Sequence, residues 1–155
     1  MRVMKVSDVA EHTGSGYPEP YRQAVMGRRA RRIGAASGVT QFGVNIITVP
    51  PGVWSSQRHW HSHEDELVLM LTGELTLVTN AGRQVLREGD FVGFPAGNGD
   101  GHHLINESAA EASFLVVGSD LPETDVVDYP DIDMRLPPSG AGKPNRFTRK
   151  SGEPY

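Results

Sequence analysis

The chain has 155 residues, a formal net charge of −4, 18 glycines, 11 prolines and no cysteine. The missing thiols exclude disulfides, iron–sulfur clusters and thiolate zinc sites, so any metal must be held by nitrogen or oxygen. The acidic balance gives no general attraction for nucleic acid. The length suits one domain with its own core, and the Gly and Pro content favours short strands and turns over long helices.

The opening "MRVMKVSDVAEHTG" carries no apolar run of secretory-leader length, and no later segment approaches the roughly 20 apolar residues of a membrane span. A cytoplasmic protein without a membrane partner is expected. Residues 1–40 read as an extended arm, with "TGSGYPEPY" rich in turn residues. Arg28, Arg29, Arg31 and Arg32 then crowd into "GRRARRIG". Such a cluster can bind phosphates, but a solvated or ion-paired segment is the simpler reading. A candidate partner for it is the acidic stretch "SDLPETDVVDYPDID", residues 119–133, which could pair with it within or between chains.

Strand signals dominate residues 41–118. "QFGVNIITV" (41–49) is rich in β-branched residues and stops at Pro50-Pro51-Gly52. "ELVLMLT" (66–72) stops at Gly73. "ELTLVT" (74–79), "NAG" (80–82) and "RQVLR" (83–87) predict a hairpin. "FVGFP" (91–95), "HHLINES" (102–108) and "EASFLVVG" (111–118) complete the set. No helical period interrupts them, so an all-β sandwich or barrel is expected over 41–118. Residues 119–155 form a C-terminal extension, with the Pro/Gly-rich segment 135–147 read as irregular tail. In "ELVLMLT" both strand faces are apolar, so a second sheet, the arm or another subunit must cover the outer one; a homodimer is the expected assembly.

The densest chemistry lies in "RHWHSHEDE", residues 58–66. In a strand, His59, His61 and His63 would share one face, close to Glu66. Imidazoles and a carboxylate gathered on one face suit a metal or a proton-handling site.

Two spaced motifs then resemble those of the cupins, small proteins of the double-stranded β-helix (jelly-roll) type. Gly52, His59, His61, Glu66 and Gly73 match the first, with one extra residue before His59. Gly89, Pro95, Gly97, His102 and Asn106 match the second, with "NGDG" lengthening the gap before His102. The stretches "HWHSHEDE", "GHHLIN", "YPDID" and "FTRKSGEPY" are similar to those of small bacterial cupins of uncharacterised function. The resemblance implies His59, His61, Glu66 and His102 as ligands of one divalent transition metal ion, Zn, Fe, Mn or Ni. His63, Val68, Met70 and His103 are pocket candidates around that set, and His63, His103 and Asp100 are the candidate proton carriers. Gly73, Gly89 and Gly97 are expected in turns, and Asn106 as a loop brace. Trp54 and Trp60 are read as packing residues; Tyr17, Arg22 and Tyr129 could reach the pocket mouth, with surface packing the simpler reading. The family hosts many chemistries. The expected function is therefore a metal-dependent enzyme acting on a small organic molecule, as oxygenase, isomerase or lyase, or alternatively a non-catalytic small-ligand module.

Overall fold

The computed structural model describes residues 2–140 and 146–155. Residues 141–145 of the Pro/Gly-rich segment lie outside the described residues. Among the described residues there are twelve strands and one short α-helix: β1 (Glu11–Thr13), β2 (Arg29–Arg31), α1 (Ile33–Ser37), β3 (Phe42–Val49), β4 (Trp60–His61), β5 (Glu66–Thr72), β6 (Glu74–Thr79), β7 (Gly82–Arg87), β8 (Phe91–Phe94), β9 (His103–Ile105), β10 (Ala112–Ser119), β11 (Val127–Tyr129) and β12 (Met134–Leu136). They form a six-stranded sheet ordered β1-β2-β3-β10-β5-β8 and two three-stranded sheets, β7-β6-β9 and β12-β11-β4. The described pairings are antiparallel.

The core lies between the large sheet and β6–β9. Alternation along each strand selects its members: Ile47 and Val49 from β3, Val68 and Met70 from β5, Ala112 and Phe114 from β10, facing Leu75, Leu77 and Leu104. Gly73 lets β5 pass directly into β6. Its φ is +72°, and a Cβ there would sit 2.9 Å from that of Ala112, so both backbone and space require glycine. The predicted hairpin forms as β6 and β7, with Glu74 opposite Arg87 and Thr79 opposite Gly82. At the far end of the core Asn106 is fully buried. It donates to the carbonyls of Val49 (2.7 Å) and Ala110 (2.8 Å) and accepts from the Ser108 amide and hydroxyl.

Both flanks are more ordered than their sequences suggest. The expected arm adds β1 and β2 to the large sheet, and α1 packs on β3, with Gly34 against Val44. The expected tail contributes β11 and β12, and β11 pairs with β4. A second apolar cluster joins the flanks: Tyr17 and Val25 from the N-terminal segment meet Val127, Tyr129 and Met134. Tyr17 and Tyr129 are therefore buried rather than on the surface, and their rings meet edge to face at 5.7 Å. Arg22 is a surface residue, paired with Glu19. Within the chain, and among the described residues, the arginine cluster makes no ion pair with residues 119–133. Arg29 binds Glu111 (2.5 Å) and Glu11 (3.3 Å), and Arg31 binds Glu11 (3.2 Å). On the outer face of the large sheet Phe42, Leu67 and Phe91 stay exposed, Phe91 by 71%.

Candidate metal centre

Three separate stretches of chain bring the site together. His59 and His61 flank Trp60 at β4, and the His59 and His102 backbones bond to each other in both directions (3.2 and 2.8 Å). Parity sends both imidazoles inward and Trp60 the other way, opposite Asp128. Glu66 opens β5 on the inward face that continues through Val68 and Met70. "NGDG" forms a loop braced from outside. Asp100 accepts from the Asn80 amide, and Arg58 bonds the Gly101 carbonyl while holding Asp131 with two hydrogen bonds. The lengthened gap therefore leaves His102 opposite His59.

Donor atoms of His59, His61 and Glu66 all lie within 4.8 Å of one another. The Glu66 carboxylate stands 3.8 Å from His61 Nε2 and 3.7 Å from His102 Nε2. These gaps are too long for hydrogen bonds. They approach the roughly 3–3.5 Å between ligands that each stand about 2.1 Å from one ion. His59 Nδ1 donates to the Gln57 carbonyl (2.9 Å), and His61 Nδ1 donates to Asp125 Oδ2 (2.7 Å). Each bond leaves the Nε2 lone pair free, as metal-binding imidazoles require. His102 stacks flat on Phe94 at 3.5 Å, and both of its ring nitrogens are buried without a hydrogen-bond partner. An unpaired buried polar atom is costly, and an ion between His102 and Glu66 would remove part of that cost. Three imidazoles and one carboxylate thus fit a divalent transition metal ion.

The electrostatics fit the same picture. Burial, with His102 and His61 close by, holds the His59 imidazole down at about 3, so it is a neutral donor at neutral pH. Burial alone would raise Glu66, but the His102, His59 and His61 rings outweigh it and hold the carboxyl at about 2.

His63 departs from the expected strand parity. The chain bends at Ser62 and His63 because the next segment captures their polar groups. Asp125 Oδ1 accepts from the His63 amide (2.9 Å), and Ser62 Oγ accepts from the Val126 amide (2.7 Å). The His63 ring is left exposed beside the Ser62 hydroxyl. His103 faces away from His102, with Nδ1 toward the Ser56 carbonyl (3.2 Å) and its ring edge-on to Trp54. Val68 and Met70 share the Glu66 face but are sealed in the core. The wall of the cavity beside the metal cluster, about 250 Å³, comes instead from Tyr17, Arg28, Asn45, Ser56, Phe114 and Val116 among others.

Asp125 carries no motif spacing, so sequence reasoning passes over its role, whereas it notes Tyr17 and Arg28 without fixing their place. Asp125 sits in the acidic stretch, whose carboxylates otherwise look like solvated charge. Burial would raise its carboxyl, but the His63 amide and the His61 ring hold it below the ordinary value. Glu64 joins it near His61 Nδ1 (3.5 Å) and accepts from the Leu121 amide (2.6 Å), and its carboxyl is pushed up by burial. The acidic stretch is thereby fastened to the site rather than to the arginines.

A jelly-roll sandwich that carries a histidine and glutamate cluster able to hold a metal ion defines the class of the protein. The chain belongs to the cupin superfamily. Its residues 45–118 match the family described as "Cupin domain". A sugar phosphate isomerase of the cupin superfamily from Silicibacter pomeroyi is 38% identical, with a TM-score of 0.92 over 99% of this chain and 96% of that one. A proposed sugar phosphate isomerase from Acidithiobacillus ferrooxidans is 31% identical, with a TM-score of 0.72 over 81% of this chain and 78% of that one. The polyketide cyclase RemF of Streptomyces resistomycificus shares the fold at 20% identity, with a TM-score of 0.61 over 77% and 79% of the two chains. No curated protein sequence matches the chain.

Proposed function

We propose that this protein is a metal-dependent isomerase of a small phosphorylated sugar. The observation that supports the reading is the grouping of His59, His61 and Glu66, with His102 Nε2 3.7 Å from the Glu66 carboxylate and two of the imidazoles tied back to protein through their second nitrogen. The substrate class comes from the Silicibacter pomeroyi relative, similar along almost its whole length. A bound divalent ion, Zn, Fe, Mn or Ni, would polarise a carbonyl and its neighbouring hydroxyl as a Lewis acid.

Aldose–ketose isomerisation is redox-neutral. One proton moves from C2 to C1, and one hydroxyl proton moves between the two oxygens. The protein's part is to orient the sugar and keep bulk water out. Burial raises the Tyr17 phenol above its ordinary value, so it stays a hydrogen-bond donor to a sugar oxygen on the cavity wall. His63, His103 and Asp100 all point elsewhere, which favours a second reading, a non-catalytic module that binds the same kind of ligand. The exposed Phe42, Leu67 and Phe91 support a homodimer through the large sheet.

The test starts with the metal content of untagged protein and of His61→Ala, followed by deuterium exchange at C2 of phosphorylated aldoses. About one ion per chain, lost in the variant, together with exchange, supports the isomerase. An ion without exchange transfers the site to the binding module. No ion after reconstitution with each metal overturns both metal-based readings.

A further inference from the structure

The four arginines of "GRRARRIG" are not equivalent. β2 spans Arg29–Arg31, and its alternation sorts them. Arg29 and Arg31 point to the side where Glu11 and Glu111 neutralise them. Ala30 points the other way and packs on the core. Arg28 and Arg32 share the parity of Ala30. All three line a chamber of about 480 Å³, together with His12 and Asn45. That chamber and the smaller cavity holding His59 and Glu66 have Arg28, Asn45 and Ile47 in common, so the two adjoin along the inner face of β3.

Among the described residues, no carboxylate comes within ion-pairing distance of Arg28 or Arg32. Asp120 is the one acidic side chain on the chamber wall, against the two guanidiniums and His12. Arg28 Nε is buried with no hydrogen-bond partner. A buried guanidinium nitrogen without a partner is an expensive arrangement in a fold that pairs Arg29 and Arg31, unless a ligand supplies the acceptor. Planar donors in pairs are what recognise the oxygens of a phosphate monoester.

We propose that Arg28 and Arg32 form an anion subsite that holds the phosphate of the substrate while its sugar end reaches the metal cluster past Asn45 and Ile47. The inference rests on the reading of the site as one for a phosphorylated sugar, and it assigns the group that would select phosphorylated over free sugars.

Calorimetric titration of the protein with glucose 6-phosphate, glucose and inorganic phosphate tests it. Arg32 is exposed, so Arg32→Gln should fold normally, and Arg28→Gln is the second variant. Arg29→Gln, on the paired face, is the control. Glucose 6-phosphate should bind at least about tenfold more tightly than glucose, and either chamber variant should weaken it by about tenfold while the control leaves it unchanged. Parent-like binding by Arg32→Gln, glucose binding as well as its phosphate, or inorganic phosphate binding while the ester does not would each overturn the proposal. Repeating the titration in His61→Ala separates the two readings. Arginine-dependent phosphate binding there sustains the subsite even if isomerisation fails. A metal-loaded parent whose binding ignores Arg32 removes the subsite alone.

Discussion

Replacing Asp125 by Asn keeps its shape and removes its charge. Asp125 holds three groups: His61 Nδ1 at 2.7 Å, the His63 amide at 2.9 Å and the Ser62 hydroxyl at 3.3 Å. An asparagine has one oxygen to offer. Turned toward the His63 amide, it presents its NH₂ to His61 Nδ1. The imidazole must then carry its proton on Nε2, the atom that faces Glu66. Turned toward His61, it sets NH₂ against the His63 N–H. The first orientation keeps both contacts but puts an N–H on the nitrogen that would face a metal. The second leaves the His63 amide unpaired in a nearly buried position, so the cost to the metal-free protein is at most about 1–3 kcal/mol. In a chain of this size that lowers the melting temperature of the metal-free protein by at most roughly 10 °C. Metal affinity should fall by about 10- to 100-fold, the usual effect of removing the carboxylate behind a ligating histidine. A competition titration with a chromogenic chelator reads the affinity, and circular dichroism reads the melt. If Asp125→Asn matches the parent in both while His61→Ala loses the metal, the Asp125–His61 pair has no part in holding the ion.

Two further outcomes follow from the same structure. Asn106→Leu conserves volume but strips the Val49 carbonyl and the Ser108 amide of their side-chain partners. Two such groups cost about 2–4 kcal/mol, visible as a lower urea midpoint at unchanged slope, and a variant within about 0.5 kcal/mol of the parent would refute the bracing role. The metal-free protein should also weaken in acid. His59 folds with its value lowered to about 3, so between about 6.5 and 3 the unfolded chain binds a proton that the native chain refuses. Glu66, lowered to about 2, acts in the same direction from about 4.5 downward. Stability is therefore complete above about pH 6.5 and falls with pH through that window, by about 3–5 kcal/mol for His59. Urea midpoints constant from pH 7 to pH 4 would contradict this.

The sandwich was legible because its strands carry their own signals. "ELVLMLT" is a short apolar run that ends at a glycine required by φ and space, and β5 forms at Glu66–Thr72 as read. The two spaced motifs point to His59, His61, Glu66 and His102, which the fold brings close together. The flanking strands escaped because "EHT", "RAR" and "VDY" are three residues each, too short for a period. His63 was misplaced for a different reason. Parity assumes a continuing strand, and the bend after His61 is imposed by Asp125, 62 residues further on. Local patterns carry no trace of that contact. The arginines are an intermediate case, because their alternation was in the sequence but only the sheet shows which face is the inner one.

The wall facing the His/Glu cluster takes two of its polar side chains, Tyr17 and Arg28, from outside the sandwich. Strand residues and their short connections supply the candidate ligands, while Tyr17, Arg28 and Arg32 come from the N-terminal flank and Asp125 and Tyr129 from the C-terminal one. On the proposed reading, the candidate ligands and the candidate anion subsite thus come from different stretches of one polypeptide. Exchanging residues 12–32 between relatives would then change which molecule is admitted while leaving the coordinating set intact, making this scaffold a candidate for redesign by segment transplantation rather than by point substitution around the ion.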